Sequence, residues 1–277
     1  MRIVTTRTVL CHYHIFKNSG STFERILSNN YGNLHLTFDG PFQFSQVCQE
    51  ELTKIIDHHP EIRALSSHQI YLPAPTSVRY RAIPVVFIRH PILRIRSVFL
   101  FEQRQTLTSE NRRCREPLEA FEKWITERLH GHKNTLQLNN LQTSMLARSA
   151  RSLPVGEKRS GRIVYDLQLA INNLSVVPCI GRTEQFENDV KGFENILADY
   201  QHPFKYMAVD AENVASRDHN QPIETQLSSI ESSLSKKTWE KLQWLNHQDI
   251  ELYEVATKIV EERLSSGIHP LIAKAVT

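Results

Sequence analysis

The sequence predicts an α/β protein with a central parallel sheet flanked by helices and a mostly helical C-terminal half. Three observations carry this. Short β-branched and aromatic runs alternate with segments of helical periodicity across residues 8–102, the pattern of parallel strands joined by crossover helices. Beyond residue 110 the periodicity is almost entirely helical. A chain of 277 residues, 40% of them hydrophobic, can bury a sizeable core as one domain spanning 1–277.

The elements follow in order. Residues 8–16 read as a strand that runs into a Ser/Gly/Asn segment, after which Phe23, Ile26 and Leu27 recur at helical spacing. Residues 46–58 form a helix stopped by Pro60, and residues 62–65 a short strand leading into Ser66-Ser67-His68. The apolar run 83–88 is a strand ending at Arg89-His90-Pro91, and Ile92, Ile95, Val98, Phe99 and Glu102 continue as a helix. Pro91 suits a first helical turn, where its missing N–H has no partner to lose. Further helices are expected over 117–129, 138–148, 184–200 and 238–264, one more strand over 175–180, and a mobile loop over 151–162. Trp124, Trp239 and Trp244 fall at helical positions and are expected in the core.

Composition removes several classes of function. With 33 Lys and Arg against 30 Asp and Glu, the formal charge of +3 is too small for binding nucleic acid by bulk electrostatics, so any bound anion must meet a local cluster of donors. The four cysteines, Cys11, Cys48, Cys114 and Cys179, form no CxxC pair, which argues against a zinc site or disulfide framework and fits a reducing compartment. The longest wholly apolar run, 83–88, is far short of a membrane span, and no signal peptide precedes His12. A cytoplasmic location is expected; oligomeric state is not encoded in any pattern found.

Two segments carry chemistry. In Lys17-Asn18-Ser19-Gly20-Ser21-Thr22 a strand ends in a polar loop that opens a helix, gathering backbone N–H groups and the positive end of the helix dipole at an anion. Lys17 adds a compact cation, Ser19, Ser21 and Thr22 add hydroxyls, and Gly20 permits close approach of the backbone. The spacing differs from G-x-x-x-x-G-K-[ST], because the lysine precedes the loop. Ser21-Thr22-Phe23-Glu24 also satisfies the capping-box pattern, a purely structural alternative. The second segment, residues 89–99, sets Arg89 at a strand end and Ser97 in the second turn of the next helix. An arginine fork matches a phosphate that must be recognised rather than reacted.

Phe16-Lys17-Asn18-Ser19-Gly20-Ser21-Thr22-Phe23 resembles the 5′-phosphosulfate loop of Golgi-type and bacterial carbohydrate sulfotransferases, and Arg89-x-Pro91-x-x-Arg94-x-x-Ser97-x-Phe99 resembles their 3′-phosphate motif. Asn140-Leu141-Gln142-Thr143, Gly181-Arg182-Thr183-Glu184 and Asp249-Ile250-Glu251-Leu252-Tyr253 look like further landmarks in the same order. Asn18-Ser19 stands where many relatives have Thr-Gly or Thr-Ala, and His90 where an acidic residue is frequent. The resemblance implies a P-loop-nucleotide-kinase-like sulfotransferase fold. It also implies in-line transfer of a sulfuryl group from 3′-phosphoadenosine 5′-phosphosulfate (PAPS) to a hydroxyl, with a glycan or glycolipid as acceptor and no metal. Donor binding then falls to residues 17–22, Arg89 and Ser97, and catalysis to Lys17 and His68. Relatives often carry a catalytic histidine between the two phosphate motifs, and His68 follows a strand end there; His12 and His14 are the rivals.

Overall fold

The computed structural model describes residues 7–40, 46–106, 118–130, 135–147, 165–209 and 221–270. The loop expected at 151–162 lies outside them. Strands β1 (Arg7–Tyr13), β2 (His35–Thr37), β3 (Ala64–Ser67), β4 (Tyr80–Ile88) and β5 (Cys179–Arg182) form one all-parallel sheet in the order β2-β3-β1-β4-β5. Their C-terminal ends therefore share one edge. The connection after β1 runs toward β2 while that after β4 runs toward β5, so the crevice between β1 and β4 is the topological switch point, where ligands of such sheets bind. The two segments singled out above leave from these two strands.

Helices cover both faces. Helix α1 (Gly20–Tyr31) buries Phe23, Ile26, Leu27 and Tyr31 against Leu10, Ile83, Val85 and Phe87 of the sheet, with α7 (Phe186–Asp199) beside it. Gly32, at φ 55° and ψ −126°, ends α1 in a positive-φ conformation that a Cβ would disfavour. The other face carries α2 (Gln49–His58), α5 (Leu141–Leu146), α6 (Leu167–Ser175) and α10 (His247–Ser266) on Val9, Cys11, Val86 and Ile88. A third cluster, off the sheet, joins α3 (Pro91–Thr106), α4 (Leu118–His130), α8 (Ile223–Ser232) and α9 (Lys236–Leu245). Trp124 and Trp239 pack there, whereas Trp244 is exposed with Lys241 Nζ 4.2 Å from its ring centroid.

The structure moves several boundaries. The first strand stops at Tyr13, because residues 14–19 form the turn into α1. The last strand begins at Cys179, since Ser175 closes α6. The expected helix over 238–264 is two helices, broken at Asn246, whose Nδ2 donates to the carbonyls of Leu138 (2.8 Å) and Leu242 (2.9 Å). Strand β2 and helices α6 and α8 were not expected. Among the described residues no helix is long and apolar enough to cross a membrane.

Candidate active site

Register places the site residues at one height. Tyr13 pairs with Ser67 of β3 and with Val86 of β4, so the loop after β1, the turn after β3 and the end of β4 emerge side by side. The loop itself is sharply folded. Lys17 (φ 67°) and Ser19 (φ 61°) both adopt left-handed backbone conformations, which cost non-glycine residues roughly 1–3 kcal/mol each and persist where the surroundings enforce them. Asn18 supplies the enforcement. Fully buried between them, its Nδ2 donates to the carbonyl of Phe87 (2.7 Å) and to Gln142 Oε1 (2.7 Å), and its N–H to Ile15 O (3.2 Å).

Helix α1 then opens uncapped. Its N-cap residue Ser19 makes no side-chain cap, and its first hydrogen bond runs from Phe23 N–H to Ser19 O. The N–H groups ahead of that bond, on Gly20, Ser21 and Thr22, point out of the helix end. The capping-box alternative is overturned, because Ser21 lies inside the helix and Glu24 pairs instead with His14 Nδ1 at 2.9 Å. Gly20 meets a further requirement: a Cβ there would lie 2.0 Å from the His14 ring, so glycine makes room for the imidazole.

Lys17 and Arg89 meet. The Arg89 Nη1 donates to Lys17 O at 2.9 Å. Lys17 Nζ lies 4.4 Å from the Phe101 ring centroid, and burial, together with Arg89 and Arg104 nearby, pushes its ammonium down to about 8. Ser97 is buried on the second turn of α3, with no hydrogen bond to Lys17 or Arg89 among the described residues. Arg94 is fully buried and donates to Gln137 Oε1 (3.0 Å) and to the Gln137 carbonyl; it holds the turn Thr135–Leu138 rather than facing the crevice.

His68 stands directly after β3. Its Nδ1 lies 2.7 Å from the His14 carbonyl, which can only accept, so Nδ1 carries the proton and Nε2 keeps its lone pair. The His14 ring stacks on it with centroids 3.8 Å apart, and Phe16 meets it edge-on at 6.4 Å. Burial foremost, then the His14 ring, holds the His68 imidazole below the ordinary histidine value, partly offset by the hydrogen bond to the His14 carbonyl and then by Asp39 and Glu24. His12 is buried, bonded to Ser66 Oγ (3.1 Å), and pushed far lower by burial.

A strand-loop-helix turn, an arginine at the neighbouring strand end and a histidine at the same height thus share one edge of the sheet. The model of the sulfotransferase family matches residues 2–255. The chain belongs to the sulfotransferase family. It is also similar to an uncharacterized protein of Archaeoglobus fulgidus, 27% identical over 259 residues that cover 92% of this chain and 98% of the relative.

In this sulfotransferase-family site, residues to which the sequence assigned no role join the two motifs. Gln142, fully buried at the start of α5, accepts through Oε1 from Asn18 Nδ2 (2.7 Å) and from Arg89 N–H (2.9 Å), and donates through Nε2 to Arg89 O (2.8 Å). Glu184 accepts from His90 N–H (3.1 Å) and from Tyr253 Oη (3.2 Å), with Arg89 Nε 3.9 Å away; burial raises its carboxyl, and Arg89 opposes that. Arg182 is committed elsewhere, paired bidentately with Asp189 at 2.9 and 3.0 Å. Because Gln142 satisfies three buried polar groups at once, Gln142→Leu is expected to destabilise the protein by about 2–4 kcal/mol in denaturant unfolding, far beyond the loss of one surface contact.

His12, His14 and Glu24 bring ligand atoms within 4.8 Å of one another. The Glu24–His14 and His12–Ser66 hydrogen bonds already satisfy these groups.

Proposed function

We propose that the protein transfers a sulfuryl group from PAPS to a hydroxyl of a carbohydrate or glycolipid. The observation that carries this is the contact of Lys17 with Arg89 at the β1/β4 switch point, with His68 at the end of the neighbouring strand β3 and its Nε2 making no hydrogen bond among the described residues. Lys17 and the first-turn N–H groups of α1 take the 5′-phosphosulfate, and Arg89 and Ser97 the 3′-phosphate. His68 Nε2 removes the acceptor proton as the acceptor oxygen bonds to sulfur. The bond from sulfur to the phosphate oxygen breaks, and Lys17 stabilises the charge left on adenosine 3′,5′-bisphosphate. The sugar class rests on the family resemblance alone.

A P-loop kinase would place a magnesium-binding hydroxyl directly after the lysine. Asn18 occupies that position, with its side chain turned into the protein.

Two titrations frame the activity. His68 must be neutral and Lys17 charged in the free enzyme. Since burial lowers both groups, and Lys17 to about 8, kcat/KM is expected to rise through a limb below the ordinary histidine value and to fall again above pH about 8. Bound donor restores the Lys17 charge, so kcat keeps its alkaline plateau. Labelled PAPS assayed against a panel of oligosaccharides, with calorimetric binding of adenosine 3′,5′-bisphosphate, tests the proposal. No binding of that nucleotide, or binding unaffected by Lys17→Ala and Arg89→Ala, removes its basis.

A further inference from the structure

The turn that carries His68 is held from outside the two motifs. Asp39, just past β2, accepts two hydrogen bonds on one oxygen: from Ser67 Oγ at 3.0 Å and from the His68 N–H at 2.9 Å. Ser67 Oγ accepts in turn from Gln69 N–H (3.0 Å), and Gln69 Oε1 accepts from Gly40 N–H (2.6 Å). Phe38 N–H donates to Ser66 O at 3.2 Å. Residues 38–40 are thus stapled to residues 66–69 by side chains and backbone together, and the turn after β3 has little freedom left. Nothing in the hydrophobic packing requires a carboxylate here. Asp39 is exposed, and an asparagine or serine would serve a turn of this kind equally well.

Resting on the reading of His68 as the base, we infer that Asp39 is its positioning residue. One carboxylate oxygen fixes the turn that carries the imidazole, and the negative charge stands beside the imidazolium formed when the acceptor gives up its proton. Other groups act on the same ring. From β1 come His12 and the stacked His14, and from α1 comes Glu24, which is bound to His14 Nδ1. His12 and His14 oppose the imidazolium; Glu24 favours it, but spends its hydrogen bond on His14. Asp39 is the carboxylate attached to the His68 turn itself.

Asp39→Asn separates charge from geometry, because the amide oxygen can accept the same two hydrogen bonds. Imidazole nitrogen shifts of the free protein are followed by NMR from acid to neutral pH, with His68→Gln used to assign the His68 signals. Wild type is expected to show the Nδ1–H tautomer, and Asp39→Asn to titrate lower by about half a unit, a difference that shrinks as salt screens the exposed charge. In turnover with labelled PAPS, Asp39→Ala is expected to lower kcat about tenfold or more with donor KM unchanged, and to cost nothing further in a His68→Ala background. Coincident His68 titrations in wild type and Asp39→Asn would overturn the inference. So would an Asp39→Ala penalty that persists in full without His68. If His68→Ala itself turns over normally, the base assignment fails, whatever the NMR titration shows, and the catalytic part of this inference fails with it.

Discussion

His68→Ala is expected to lower kcat by about 10²–10⁴ while adenosine 3′,5′-bisphosphate binds as before. The size follows from how completely the fold commits this imidazole. The His14 carbonyl fixes the tautomer at 2.7 Å, His14 and Phe16 cover the ring, and the register of β3 with β1 sets its height beside the loop. Neither rival can take over. His12 is buried and bonded to Ser66, and His14 Nδ1 is held by Glu24. The alanine protein is expected to lose the acid limb of the kcat/KM profile together with the rate. Near-normal turnover in steady-state assays would assign the proton to another group.

Lys17→Ala is expected to lower kcat/KM by about 10²–10³, the scale of one preorganised donor removed from a developing charge. Both donor KM and kcat should suffer, because in the proposed reaction the ammonium meets the phosphosulfate in the ground state and the leaving oxygen in the transition state. The left-handed backbone at residue 17 remains in the variant, held by Asn18 and Arg89, so the loss is chemical rather than structural. The alkaline limb near pH 8 should vanish with the lysine. A variant that retains this limb while binding the nucleotide normally would show that the titrating group lies elsewhere.

Much of this was legible in the sequence, for identifiable reasons. Strands β1 and β4 announce themselves because each is rich in β-branched, aromatic or other apolar residues, as a strand buried on both faces tends to be, and each runs into a polar segment. The same logic singles out Lys17, Arg89 and His68 as candidates, each at or just beyond the end of a strand. Strand β2 escapes it, since the three residues His35–Thr37 acquire their conformation from β3 and not from any periodicity of their own. The break between α9 and α10 escapes as well, being fixed by hydrogen bonding of Asn246 to Leu138, 108 residues away in the chain. The roles of Gln142, Glu184 and Asp39 fall in the same class, although Gln142 and Glu184 stand in segments that look like family landmarks. Each is an ordinary polar residue locally, and its role exists only through partners far off in sequence. Gly20 carries a requirement that no local pattern shows: the glycine yields space to His14.

The reciprocal hydrogen bonds between α5 and α10 bear on the order in which the site is completed. Asp249 accepts from the N–H groups of Gln142 (3.0 Å) and Thr143 (2.7 Å), while Asn140 Oδ1 accepts from those of Gln248 (3.0 Å) and Asp249 (3.1 Å). Gln142 in turn holds Asn18 and Arg89. A chain emerging from the ribosome therefore exposes the segments that carry Asn18 and Arg89 long before the residues that brace them are made. Only when the last helix docks are the two segments locked to each other, so a polypeptide stopped short of it would carry both motifs and hold neither in place.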